Sequence, residues 1–524
     1  MMALLARAKH HRRKPRAVAI DRLAVTALGL AMLAMGEARA QPDPGGASSR
    51  GFSFTPSINA TETLTNNAEL TATDRRPDLI TQVGPALQVR GVTDWVQGFL
   101  DYSLVGLTHA RGTSSDSIQQ SLGTAFQAQG LDHHLFVNAR ASISRENVSA
   151  LGTQASDAAL DTGNQTQVAS FDVAPSLRGA LAGVVAYSFG ADYNVTHSGA
   201  GEIGNSTNKS EFAHLGTASS TQLIGWGLDV SHDDTDFSLG RQTTDESAVG
   251  SLVLTPDGEL QFVVRGGREG NDVQTLKLKY DTTYGASVRW MPSERTTIQL
   301  QDDKRYFGNA YTLNFQHRTA QTVWTISDVR QVVNDTAGGA EGQPMSAFDL
   351  LYLQLASKYP DPVVRASQAL LELQALGLNP LVTVPAGFLT NAVSLQRSLT
   401  GSVGYIGLRN SVVLSAAKSD ISRLDPLSGA VDSLSAGGTI RQRSFSLSAT
   451  HRLTPVSSLN LTLSDSRTLG SGTSGQVTLR SVTADWATQV GLRGQFSLGA
   501  RRTISFGESP YTESALLATF SLQI

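Results

Sequence analysis

The sequence predicts an all-β fold: one transmembrane antiparallel outer-membrane β-barrel of about 22 strands, roughly 18–26 once boundary drift is allowed for. Three observations carry that expectation. Apolar and polar residues alternate with period two in segment after segment beyond residue 50. The connections between those segments are compact and long by turns. The chain also ends inside an alternating run, YTESALLATFSLQI (511–524). Such a strand would be an open edge unless it pairs with the first strand and closes a barrel.

Composition sets the bounds. The 524 residues are 40% hydrophobic and 6% aromatic, with 49 Gly and no Cys. That is poor material for a large water-excluding core, and it excludes disulfides, thiolate metal sites and a cysteine nucleophile. Residues 1–40 read as a cleaved signal peptide. Arg7, Lys9, Arg12, Arg13, Lys14, Arg16 and Arg22 precede or border the apolar run Leu23–Met35, and Ala38-Arg39-Ala40 forms the cleavage site. The apolar run is shorter than the ~20 residues a membrane-spanning helix needs. That segment carries eight of the 42 Lys/Arg and two of the 45 Asp/Glu, leaving 34 against 43 in the mature chain. An acidic balance argues against a nucleic-acid partner. Residues 41–50, QPDPGGASSR, read as a short flexible segment before a barrel over 51–524.

Along the barrel, Leu135, Val137, Ala139, Ala141 and Ile143 alternate with Phe136, Asn138, Arg140 and Ser142. Val185 to Val195, Ile224 to Val230 and Leu459 to Leu463 repeat the pattern. Short connections at 92–94, 131–133, 255–258, 292–295, 319–320 and 454–457 interleave with Gly/Ser/Asn-rich stretches at 65–78, 147–165, 198–210 and 424–438. A sandwich has no reason for this asymmetry, whereas a membrane barrel has short periplasmic turns and longer outer loops. Placing every short turn on one side puts both termini there and requires an even strand number.

The stretch 346–380 switches to helical spacing, with Ser346 and Asp349, Asp361-Pro362 and Gly377 suiting helix ends. We expect a helix-containing insertion over 335–397 in one outer loop, either an external lid or a constriction in the lumen. In YGASVRWMPSERTTIQLQDDKRYFGNAYTLNFQHRT, Trp290 beside a short turn and Tyr306 with Phe307 at the far turn are expected interfacial aromatics. At the C-terminus, Leu516, Ala518, Phe520, Leu522 and Ile524 form the expected lipid-facing stripe; Phe520, Leu522 and Ile524 serve as the insertion signal.

The charges that alternate with outward apolar residues are expected to line the lumen: Arg140, Asp192, Asp229, Arg265, Lys277, Lys279, Arg289 and Arg493. They read as a polar conduit that sets selectivity, or as the solvation any wide barrel needs. An enzyme is not expected. Ser231-His232-Asp233 and Asp132-His133-His134 are local clusters, but neighbours on a strand point to opposite faces and cannot form a relay by adjacency. No cofactor or metal is expected.

TETLTNNAEL followed by RRPDLITQVGPALQVRG, then WMPSERTTIQLQDDKRYFGNAY, then FDLL…FLTNAVSLQRSLTGSVGYIGLRNSVVLS resemble PEP-CTERM system-associated outer-membrane proteins, over most of the mature chain. The resemblance implies a barrel in the outer membrane of Gram-negative bacteria that make exopolysaccharide and sort C-terminally tagged proteins through an exosortase. It brings no catalytic residues. The implied partners are outer-membrane lipid, the outer-membrane insertion machinery, and polysaccharide or export-system components. This chain departs from the usual barrel ending in closing on Ile524 rather than an aromatic residue. The resulting expectation is a porin-like or secretion-linked channel, with a non-conducting scaffold as the alternative.

Overall fold

Every strand pairs antiparallel with its chain neighbours, and the last pairs with the first, so no edge stays open. The computed structural model describes residues 51–524 except 158, 161, 219–221, 436–437, 472–474 and, within 338–386, all but Tyr352, Leu355 and Arg365. The signal peptide, segment 41–50 and nearly all of the expected helical insertion lie outside the described residues. The first half of the barrel is β1 (Gly51–Thr65), β2 (Asp78–Val92), β3 (Val96–His109), β4 (Ser117–Gly130), β5 (Leu135–Asn147), β6 (Gln165–Leu181), β7 (Val185–Ser198), β8 (Ser206–Thr217), β9 (Ile224–Phe237), β10 (Gln242–Leu254) and β11 (Leu260–Asn271). The second half is β12 (Lys279–Ser293), β13 (Thr296–Arg305), β14 (Gly308–Arg318), β15 (Thr322–Val333), β16 (Ser394–Ile406), β17 (Asn410–Arg423), β18 (Thr439–Thr454), β19 (Ser457–Gly470), β20 (Gln476–Val490), β21 (Gly494–Gly507) and β22 (Tyr511–Gln523). The strand number matches the sequence expectation. The insertion is bounded more tightly than expected, by Val333 and Ser394, because 394–397 already pair in β16.

The alternation decides the two faces. On β22, Leu516, Phe520, Leu522 and Ile524 are 56%, 41%, 41% and 63% exposed on the outer surface. Thr519 and Ser521 face inward, bonded to Thr61 at 3.1 Å and Asn59 at 2.6 Å on β1. The same parity carries round the barrel and yields an apolar outer face, the condition for spanning a bilayer with strands. All the tryptophans, Trp95, Trp226, Trp290, Trp324 and Trp486, sit in or near a short turn. They mark one membrane interface, as amphipathic rings prefer. For strands about 4.8 Å apart tilted near 40°, a barrel of this size is about 40–45 Å across.

One close approach constrains the wall. A Cβ on Gly84 would stand 1.7 Å from the backbone oxygen of Leu104 on β3, where the β2–β3 pairing is interrupted at Gly84-Pro85. A Cβ on nearby Gly106 would make only an ordinary contact, 3.6 Å from the Val83 oxygen. Gly84→Ala is therefore expected to cost about 1–3 kcal/mol in overpacking, and Gly106→Ala far less. Heat-modifiable gel mobility measures this, and equal folded fractions would show that β2 and β3 can move apart freely.

Candidate functional site

At the outer end of the lumen, long connections fold inward onto the wall. Inward-facing apolar residues cluster at the outer ends of the strands: Ile80 and Leu107 on β2 and β3, Tyr511 on β22, Ile421 and Ile440 on β17 and β18. Loop residues pack on them. Leu70, Ala155, Ala159 and Leu160 join Ile80, Leu107 and Tyr511, while Ala150, Phe388 and Leu434 join Ile421 and Ile440. A third cluster holds Val168, Ile203 and Leu389. Phe388, Leu389, Leu160 and Leu434 are at most 1% exposed, and each such burial contributes about 1.5–3 kcal/mol.

Polar contacts hold the cap in register. Asn391 accepts from the Gly204 amide at 2.7 Å and donates to the carbonyls of Glu202 (3.1 Å) and Val431 (3.3 Å); its own amide donates to Asp432 at 2.9 Å. One side chain thereby joins the connections β7–β8, β15–β16 and β17–β18. Asp432 is in turn held by Arg423 at 2.5 Å. The β5–β6 connection, 148–164, reaches β21, six strands away round the closed barrel. Asp157 pairs with Arg501 on β21, Ser156 bonds Thr503 at 2.7 Å, and the Tyr511 hydroxyl donates to the Gln154 carbonyl at 2.6 Å. Arg501 also holds Glu513 at 3.0 and 3.3 Å, and Thr65 donates to that carboxylate at 3.0 Å. Arg501 and Glu513 are almost fully buried, so neither charge tolerates loss of its partner.

Beneath the cap, the wall of β9–β13 carries a cavity of about 610 Å³. Asp229, Asp233, Asp245, Glu269 and Asp303 line it, with Arg265 and Arg305 as its cations. Asp245 stands directly opposite Asp233 in the ladder. Arg305 bridges Glu269 at 2.7 Å and Asp245 at 3.6 Å; Arg265 reaches Asp303 at 3.4 Å. Carboxylates exceed cations on this wall. The opposite wall, β16–β19, differs: Ser398, Thr400, Ser402, Ser415, Ser446 and Ser464 face inward and form a hydroxyl-rich, nearly uncharged surface.

The structure sorts the residues expected from sequence. Arg140, Asp192, Asp229, Arg265, Lys279 and Arg289 lie on inward parity, Arg140 opposite Asp172 and Asp229 bonded to His214 at 2.6 Å. Lys277 does not line the wall; it lies in the β11–β12 connection, exposed. Arg493 sits in the short turn before β21, also exposed. Both errors have one cause, since the period-two rule was carried past the point where the strand stops. Trp290 faces outward near a short turn, as expected. Tyr306 and Phe307 are not lipid-interface aromatics. They form a two-residue turn packed on Phe237, Val273, Val393 and Leu424, with the Arg305 guanidinium 5.9 and 5.4 Å from their ring centres. Burial, then the charge of Asp245, pushes the Tyr306 phenol up, so it stays protonated.

Sequence reasoning missed Arg501, Glu513 and the cap. A signal existed for Glu513, which shares the face of Thr519 and Ser521; for Asp157, 344 residues from Arg501, there was none. In the Ser231-His232-Asp233 run, Ser231 and Asp233 face inward and His232 outward to Glu246 at 3.2 Å, so no relay forms. Among the described residues no group of three or more His, Asp or Glu is arranged to hold a metal ion.

No protein-family model matches the chain, and no curated protein matches it. Among solved structures, it is similar to the siderophore receptor PirA from Pseudomonas aeruginosa, at 9% identity over 90% of this chain and 80% of that one, TM-score 0.43. It is similar to the FrpB iron transporter from Neisseria meningitidis at 10% identity over 90% and 81%, TM-score 0.43. It is also similar to OccK2 (OpdF) of Pseudomonas aeruginosa in complex with glucuronate, at 9% identity over 91% and 100%, TM-score 0.33.

Proposed function

We propose that the chain is an outer-membrane channel for polar solutes whose outer mouth is gated by the folded-in loops. The observation that supports this best is the contrast across the cap. Above lies a well-packed apolar seam; below, carboxylates gather on one wall among a few valines, and hydroxyls on the other. A polar lumen under a closable cap suits passage better than permanent closure. The hydroxyl-rich wall favours neutral, hydroxyl-bearing solutes and the acidic wall favours cations over anions. Handling of exopolysaccharide, or export coupled to PEP-CTERM protein sorting, is the finer reading that the sequence resemblance suggests.

The apolar packing of the inward-folded connections favours the second reading, a non-conducting scaffold for surface material. Planar-bilayer recording separates the two. The channel reading expects discrete openings that prefer cations in a salt gradient, with Asp233→Asn/Asp245→Asn reducing that preference. Inserted, heat-modifiable protein that never opens would leave only the scaffold.

A further inference from the structure

The outer surface of β16–β21 carries a second polar feature that the channel does not use. On these strands the outward residues in mid-strand are apolar: Val403 and Leu399, Leu414 and Ala416, Leu447 and Phe445, Leu461 and Leu463, Ala484 and Val482, Leu498 and Ala500. The next outward residue towards the long loops is Arg397, Lys418, Arg443, Asp465, Arg480 and Arg502 in turn, and one step further stand Asp420, Arg441 and Arg467. On β17–β20 the lipid-facing stripe therefore meets, on the outer-leaflet side, a mainly basic ledge, while on β16 and β21 Leu395, Ile504 and Phe506 carry it further.

Two details distinguish the ledge from a merely solvated rim. First, like charges face one another: Lys418 stands directly opposite Arg443, and Arg443 directly opposite Arg467. Cations in adjacent ladder positions repel and destabilise the sheet unless an anion sits between them. Second, the carboxylates of this sector are already engaged elsewhere. Asp420 takes Lys418 at 3.1 Å and Arg441 at 3.7 Å; Asp465 takes Arg480 at 2.7 Å. Arg443 has no carboxylate within ion-pair distance among the described residues, and Arg467 bonds only the Gln476 amide oxygen, at 2.9 Å. Both are exposed. On β8–β10 the outward charges lean the other way, with Glu211, Asp234, Asp236 and Glu246 against Lys209.

We propose that this ledge binds the phosphate groups of an anionic outer-leaflet lipid. Its acyl chains would lie on the apolar stripe of β17–β20, and its phosphates would bridge Lys418, Arg443 and Arg467. Arginine forks match phosphate oxygens, and the adjoining greasy wall supplies the rest of the contact. The site needs the barrel in a membrane but not a conducting lumen, so a silent channel would leave it intact.

The test uses the full mature barrel in vesicles of phosphatidylcholine with or without bisphosphorylated lipid A, comparing wild type with Arg443→Gln/Arg467→Gln. Wild type should gain heat resistance when the phosphorylated lipid is present. It should retain that lipid in native mass spectra at least tenfold better than the double variant, and the preference should weaken in high salt. In phosphatidylcholine alone the variant should be more heat-resistant than wild type, because its repulsion is gone. That reversal of sign between the two lipids is not available to residues with a purely structural role. Equal retention by both proteins, or equal retention of lipid A stripped of its phosphates, would overturn the proposal.

Discussion

Arg501→Met should open the mouth of the barrel and destabilise it at the same time, whereas Asp157→Asn should open it alone. Arg501 joins the inward-folded loop 148–164 to the wall through Asp157, and it also neutralises Glu513, which is 0% exposed. Removing one partner of a buried pair costs about 3–5 kcal/mol because the other charge is left uncompensated. Methionine leaves Glu513 with only the Thr65 hydroxyl as donor. Asparagine at 157 keeps Arg501 on Glu513 and weakens only the tie to the loop. If that tie holds the loop by about 3 kcal/mol, its loss raises the open fraction roughly 150-fold. Single-channel recording and protease nicking of 148–164 report opening, while the gel-shift midpoint reports stability. Two variants that leave conductance and nicking as in wild type would show that the loop is not the gate.

The second large effect is expected at the closing seam. Phe520 faces lipid opposite Ala60 of β1 and Phe496 of β21, while Gln523 faces the lumen opposite Ser57. Phe520→Asp puts a carboxylate on the lipid face beside both neighbours, at a cost on the order of 2 kcal/mol in addition to the lost ring. It also breaks the apolar stripe of Leu516, Phe520 and Leu522. Gln523→Ala removes a polar group from a wall rich in others. Outer-membrane levels of the first should fall well below those of the second, and equal levels would refute the register of β22.

The wall was legible where the strand period holds and illegible where it stops. Arg140, Asp192, Asp229, Arg265 and Arg289 lie within strands, and their parity alone gives the face they share. Lys277 and Arg493 lie just beyond strand ends, where no period constrains the side chain. Tyr306 and Phe307 look like belt residues in sequence, since aromatics near turns usually are. Their environment is set instead by Val273 and Val393, which arrive from other connections. Asn391 is equally silent in sequence. It is an ordinary loop asparagine until three connections converge on it.

The sequence by itself determined the barrel and its two faces, because a strand can place successive side chains only on opposite sides and a closed sheet is the way to leave no edge in lipid. It determined the lipid stripe ending at Ile524 and the parity of most charges within the strands. Only the tertiary structure decided that long connections fold inward at the mouth, that Arg501 meets Asp157 from a connection six strands away, and that Arg443 stands between two other cations. Those meetings depend on which strands become neighbours and how far a loop reaches once the barrel has closed, and no local period encodes either.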